Sequence, residues 1–329
     1  MNTLFVSAGR RVELLKAFTR AYADLGLSGM TIAVDADRLA PALRVADRAL
    51  VVPRSTDPRF IEVLAEVCRR EEAALVFPLI DPDIEILARY RGELEATGAR
   101  VVVVPEWASR VAMDKLRTYE HLTALDIPTP VCWTREQVDA DELEYPVFIK
   151  PRFGSAGEHT YKVCNPRELD FFLDYVPEPV VQEYVRGPEI TSDVLCDFEG
   201  DVLAVVSRRR IAVRSGEVSK GITVFDPEIL ESCVRIAQSL KAIGPITIQC
   251  LLRDGQPLFT EVNARFGGGF PLALAAGVDA PRWLLALAAG VPVEVPPLGS
   301  YKKGLHLTRF DDSFFVTSRE LDRVESHRL

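Results

Sequence analysis

The sequence predicts an α/β protein. It divides into a Rossmann-like parallel-sheet domain over residues 1–112, a small α+β lid over 113–184, and a C-terminal α+β part with an antiparallel sheet over 185–329. Three observations lead there. The chain has 329 residues, more than one ordinary core holds and enough for two or three. Its first part alternates short apolar runs with amphipathic helical stretches, the pattern of a parallel sheet covered on both faces. Beyond that part the pattern turns to hairpins and glycine loops.

The elements follow in order. Residues 3–6, 30–34, 49–52, 74–77 and 100–104 are apolar runs of strand length. Residues 12–25 place Val12, Leu15, Phe18 and Tyr22 at helical spacing, and 58–70 and 83–96 read as further helices. A helix over 113–125 stops at the breaker Asp126-Ile127-Pro128-Thr129-Pro130. From there to Val185 the order is strand, strand, glycine loop, strand, helix, strand. The helix there has Asn165 as N-cap, Pro166 at its first position and Glu168 two further on. Asp226-Pro227 opens another helix that runs to Lys241. Arg253-Asp254-Gly255-Gln256 is a hairpin turn. Residues after Asp311 are charged and weakly patterned, which reads as a frayed tail.

Composition narrows the function. The net charge of −9 argues against a general nucleic-acid binder, while leaving room for a local cationic pocket. Six scattered cysteines and four separated histidines form no metal pattern and read as free thiols of a reducing compartment. The N-terminus lacks the layout of a signal peptide, and no apolar stretch reaches the roughly 18 residues of a membrane span. A cytoplasmic protein with no membrane or nucleic-acid partner is the expectation. The apolar helices of the first domain are compatible with a homodimer.

Four constellations carry chemistry. In Tyr145-Pro-Val-Phe-Ile-Lys150-Pro-Arg-Phe-Gly154-Ser155-Ala156-Gly157 a buried strand ends in a lysine and enters a glycine loop, whose amides can cradle phosphate oxygens. An ordinary hairpin with a solvated lysine is the plain alternative. In Gln182-Glu183-Tyr184-Val185-Arg186-Gly187-Pro188-Glu189 a strand runs into a linker, whose backbone can pair with an adenine edge. Glu189 can then take ribose hydroxyls; a turn with a solvated glutamate is the other reading. Glu261 and Asn263 are two apart on a strand and share a face; both are hard oxygen ligands of the kind magnesium takes beside phosphate oxygens. Gln249 on the other hairpin arm can add an oxygen. Arg265, on the same face if the strand continues, can bind a phosphate or oxyanion. Lys115, in Met113-Asp114-Lys115-Leu116-Arg117, can reach a phosphate or stay an exposed helix lysine.

In order and spacing these segments resemble the ATP-grasp superfamily, over residues 1–309. The texture is similar to single-unit proteins that look like one half of the carbamoyl-phosphate synthase large subunit. Ser7-Ala8-Gly9-Arg10-Arg11-Val12-Glu13, Ala46-Asp47, Pro78-Leu79-Ile80-Asp81 and the segment 261–269 carry that likeness. The resemblance implies ATP and Mg2+ as cofactors. It implies that Lys115 and Lys150 contact ATP phosphates, that Ser155, Ala156 and Gly157 close over them, and that Glu183, Tyr184 and Val185 hold adenine. Glu189 would take the ribose, Gln249, Glu261 and Asn263 the metal, and Arg265, with Lys150, would be catalytic at the transferred phosphoryl group. Gln182 and Gln249 stand where many relatives carry acids.

The reaction implied is phosphoryl transfer to a small-molecule carboxylate, giving an acyl phosphate and ADP, then attack by an amine or ammonia. Such chemistry asks for alignment and charge neutralisation rather than a covalent catalytic residue. Candidates for the acceptor site are Gly9 and Arg10 at the first strand–helix turn, Asp81, Arg208 and Arg210 on one strand face, Lys220 on the next run, and Gly268. The sequence leaves three other readings. A nicotinamide oxidoreductase lacks the fingerprint, having only Gly9 of its glycines. A non-catalytic ATP sensor and a phosphotransferase both keep the fold.

Overall fold

The computed structural model describes residues 1–154, 157–214, 216–321 and 324–326. Three sheets organise the chain. The first is parallel throughout, in the order β16-β3-β2-β1-β4-β5, and is built from β1 (Asn2–Val6), β2 (Thr31–Asp35), β3 (Arg48–Val51), β4 (Ala73–Pro78), β5 (Arg100–Val101) and, from the far end of the chain, β16 (Glu325–Ser326). Helices α1 (Val12–Leu25), α2 (Phe60–Arg70), α3 (Asp81–Arg89), α4 (Arg91–Glu95) and α5 (Glu106–Met113) follow its strands. The strand order reverses between β1 and β4, and ligands of open parallel sheets bind at such a point.

The second sheet, β6-β9-β7-β8, joins β6 (Cys132–Thr134), β7 (Val147–Pro151), β8 (Tyr161–Val163) and β9 (Pro179–Glu183), with α6 (Lys115–Ala124) before it and α7 (Pro166–Tyr175) between its last strands. The third has the order β14-β13-β10-β11-β12-β15 and is antiparallel. Its strands are β10 (Glu189–Cys196), β11 (Val202–Arg214), β12 (Glu217–Val224), β13 (Gly244–Arg253), β14 (Gln256–Asn263) and β15 (His306–Thr308). Helices α8 (Pro227–Ser239), α9 (Phe270–Ala275) and α10 (Ala280–Ala289) complete it. The predicted α/β class and its sheet types hold.

Local chemistry sets the helix starts. Asn165 accepts from the Glu168 amide at 3.0 Å, and Asp226 accepts from those of Glu228 and Ile229 at 2.9 and 3.2 Å, as capping requires. Two expectations shift. The helix expected over 113–125 starts at Lys115, because Asp114 leaves the helix to cap it and accepts from the Leu116 and Arg117 amides. The helix expected over 83–96 breaks at Tyr90 into α3 and α4, and it begins at Asp81 behind Ile80. The expected frayed tail is corrected in part: residues 325–326 pair with β3, while 322–323 and 327–329 lie outside the described residues.

One apolar cluster crosses from the first sheet to the third. Phe5 of β1, Phe18 of α1 and Phe77 of β4 pack together, and Phe266, three residues past β14, packs 6.1 Å from Phe18 and 5.8 Å from Phe77 between ring centroids. Such aromatic contacts tie the last strand of one sheet to the core of another. All six cysteines are free. No described helix is long and apolar enough to cross a membrane.

Phe266→Ala should therefore lower stability by about 3–5 kcal/mol, the usual cost of emptying a buried aromatic site. Urea unfolding measures it; a loss under about 1 kcal/mol would mean that this ring does not join the two cores.

Candidate active site

Strand alternation builds the polar wall of the site. On the third sheet Thr191 stands opposite Arg208 on one side and Gln249 on the other. Gln249 is in turn opposite Glu261, and Thr247 opposite Asn263. Residues in this register share one face. The other face, with Ile190, Val194, Ile246 and Ile248, is packed in core. Every functional side chain on these strands must therefore face away from that core.

A cleft of about 780 Å3 lies where this face meets the second sheet. Lys115, Lys150, Gly157, Glu183, Tyr184, Val185, Glu189, Arg210, Gln249, Glu261, Asn263 and Arg265 all line it. Ser155 and Ala156 lie outside the described residues. Phe148 and Leu251 add apolar wall on which a planar base can rest.

Lys150 is 7% exposed, and its Nζ donates to Gln182 Oε1 at 3.0 Å. Burial pushes its ammonium down to about 8; Glu261 opposes that shift and Lys115 adds to it. Lys115 is also lowered by burial, opposed by Glu261, Asp81 and Asp114. Its Nζ donates to the Gly154 carbonyl at 2.7 Å, which brings helix α6 to the glycine loop. Asp114 fixes that approach. Besides capping α6, it accepts from Arg152 Nε and Nη2 at 2.8 and 2.7 Å, just past β7. The sequence reading missed Asp114 and Arg152 as a clamp, since their pairing spans two elements.

The oxygens suited to a cation stand together. Asn263 Nδ2 donates to Glu261 Oε1 at 3.3 Å, and Gln249, with its amide nitrogen toward Glu261, donates to Oε2 at 2.7 Å. Among the described residues no cluster of three His, Cys, Asp or Glu can hold a metal ion. One carboxylate with two amides suits a magnesium ion that takes its other ligands from phosphate oxygens and water.

Strand β14 ends at Asn263, yet Arg265 still reaches the cleft. Its Nη2 donates to Asp81 Oδ2 at 2.6 Å. Asp81, expected in the acceptor site, is thus engaged by a guanidinium. Glu189 pairs with Arg210, and Glu183 with Arg253.

A second cavity of about 80 Å3 opens beside the first, walled by Arg11, Arg208, Arg210, Glu217 and Gly267 to Gly269. Arg208 pairs with Asp193 and is buried. Three acceptor-site candidates lie elsewhere. Arg10 is largely exposed and stands 3.8 Å from Asp311; its neighbour Arg11 is the residue turned inward, donating to Glu217 Oε1 at 2.9 Å. Gly9 gives its amide to Asp35 Oδ2 at 2.8 Å and lines neither cavity. Lys220 is exposed: its neighbour Gly221 stands opposite Arg210, and neighbours on a strand face opposite sides. Arg11 carried one signal in the sequence, its place at the start of a helix next to Arg10.

Residues 112–269 match the ATP-grasp domain model. The chain carries an ATP-grasp domain over those residues. Residues 3–102 match the model of the PylC-like N-terminal domain. The chain is 25% identical to the carbamoyl phosphate synthase large chain of Thermoplasma acidophilum over 276 residues, 75% of this chain and 26% of that one. It thus spans about a quarter of the length of that curated relative. The biotin carboxylase domain of Hydrogenobacter thermophilus 2-oxoglutarate carboxylase, solved with MgADP and bicarbonate, superposes with a TM-score of 0.73 at 20% identity, over 92% of this chain and 73% of that one. An L-amino acid ligase from Bacillus licheniformis gives 0.68 at 21%, over 87% and 73%. These structures share the ATP-grasp fold.

The buried lysine gives a pH test. Lys150 is charged in the free protein below about 8 and neutral above it. A polyphosphate recruits the charged form, so ATP affinity should fall as pH rises through 8, by up to about tenfold per unit. Lys150→Met should remove that step and weaken binding about 10- to 150-fold, the worth of a charge-assisted hydrogen bond. Titration calorimetry with a non-hydrolysable ATP analogue at several pH values checks both. An unchanged affinity in the variant would contradict the placement of Lys150 at the phosphates.

Proposed function

We propose that this protein is an ATP- and magnesium-dependent ligase that activates a small-molecule carboxylate as an acyl phosphate, releases ADP, and joins the acyl group to an amine. The observation that carries the reading is the single cleft that gathers a buried lysine, a half-buried one, an oxygen trio and a held arginine around one polar sheet face. The homologous stretch of a carbamoyl phosphate synthase and the fold shared with an L-amino acid ligase support it.

In this reading residues 1–112 present the acceptor, 113–184 close as a lid and 185–329 hold the reacting groups. The backbone of Glu183, Tyr184 and Val185 pairs with adenine, and Glu189 shares itself between Arg210 and the ribose. Lys115 and Lys150 neutralise phosphate oxygens as the glycine loop descends. Gln249, Glu261 and Asn263 would hold magnesium, which would offset polyphosphate charge. Arg265, held by Asp81, faces the phosphoryl group as it passes to the carboxylate, where a fixed cation stabilises the developing charge without reorganising. Lid closure keeps water from the acyl phosphate. The amine then attacks the acyl carbon and phosphate leaves.

The test is chromatography of nucleotide products after incubation with magnesium, ATP, pooled carboxylates and pooled amines. ADP that needs both an acid and an amine, and falls about a hundredfold or more in Glu261→Ala, is the expected result. AMP would overturn the acyl-phosphate step. ADP formed with a phosphorylated hydroxyl would make the protein a phosphotransferase, and tight ATP binding without turnover would make it a sensor.

A further inference from the structure

The small cavity beside the cleft is built for charge. Its walls hold four guanidinium groups, those of Arg11, Arg208, Arg210 and Arg265, and one acid, Glu217. That acid is shared: Arg11 donates to one of its oxygens at 2.9 Å and Arg309 to the other at 3.0 Å. Against burial, which would raise it, the two arginines hold Glu217 below the usual carboxylate range. Burial lowers Arg11, opposed by Glu217, with Arg265 and Arg309 adding to the fall.

Polar atoms are left over here. The Arg208 side chain is 4% exposed, yet among the described residues its Nε has no hydrogen-bond partner, and neither has the hydroxyl of Thr191, which is 3% exposed. The Nε atoms of Arg210 and Arg265 are in the same condition. Buried donors without partners are uncommon in a finished interior and mark a place where a ligand supplies the acceptors. The glycines keep that place open. A Cβ on Gly268 would lie 2.8 Å from Arg11 Nη1, and one on Gly269 would lie 2.3 Å from Arg208 Nε.

We propose that the acid used by this protein carries a second anionic group, seated in the small cavity by Arg11 and Arg208 while Arg265 faces its reacting carboxylate. The proposal rests on the ligase reading and names its substrate class. The cavity of about 80 Å3 equals two or three waters at about 30 Å3 each, room for one compact oxyanion and no long side chain. It shares Arg210, Gln249, Asn263 and Arg265 with the larger cleft, so one molecule reaches both. A zwitterion fits less well, because an ammonium group would meet guanidinium groups and an acid already held by two of them.

Binding separates this from turnover. The whole protein, with ADP present, is titrated calorimetrically with succinate and 3-phosphonopropionate, and with butyrate as the singly charged acid of similar length. Both arms are dianions; the tighter one says whether the second group is a carboxylate or a phosphate-like oxyanion. At least one dianion should bind about tenfold or more tightly than butyrate, as one charge-assisted contact provides. Arg11→Gln and Gly268→Ala should each erase that preference while ADP affinity stays within about twofold of the parent's, which also shows that the variants fold. Equal binding of butyrate, a preference that survives both substitutions, tighter binding of alanine than of either dianion, or no binding of a dianion at millimolar concentration would each overturn the proposal. If no acid supports ADP formation but the dianion preference holds, the ligase reading fails and the anion site stands.

Discussion

The alternation of side chains on one antiparallel sheet is the constraint on which the site depends. Strands β10, β11, β13 and β14 keep a register in which Thr191, Arg208, Gln249 and Glu261 are cross-strand neighbours. Their other face is filled by apolar residues that pack on helices such as α8. A slip of one residue on any strand would turn its charges into that core. The apolar face thus fixes the position of the polar one, and hydrophobic burial holds the charged groups in place.

Charges gathered in this way are costly to bury, and the structure answers with pairing. Arg265 is held by Asp81, Arg208 by Asp193, Arg11 by Glu217 and Arg210 by Glu189. Breaking such a pair strands the partner, whereas an apolar replacement of both is often tolerated. Stability alone therefore gives no reason for the arrangement; a role toward anionic ligands does. Two of these pairs, Arg265–Asp81 and Arg11–Glu217, also link the parallel-sheet domain to the antiparallel sheet. Phe266, the next residue after Arg265, anchors the same junction in aromatic core.

Much of this is legible in the sequence because it is local. The hairpin turn at Asp254-Gly255, the caps Asn165 and Asp226, and the spacing that puts Glu261 and Asn263 on one face all follow from short-range rules. What is not legible depends on distance or on small departures from regularity. Asp81 and Arg265 meet across 184 positions. The register that sets Gly221 rather than Lys220 on the face of Arg210 leaves no mark in the sequence. At the first strand–helix turn the choice between Arg10 and Arg11 depends on where the helix begins, and Arg11 sits just before its first residue, Val12. The pairing of residues 325–326 with β3 joins two ends of the chain and has no pattern of its own.

The central claim is that the cleft passes a phosphoryl group to a carboxylate. Oxygen isotope transfer tests it most directly. The protein is given magnesium, ATP, an amine and acids labelled with oxygen-18 in their carboxylates, and the released phosphate is analysed by mass spectrometry. The account predicts one labelled oxygen in that phosphate, carried over from the acid when the amine displaces the acyl phosphate. Phosphate released without label, in step with product formation, would contradict it.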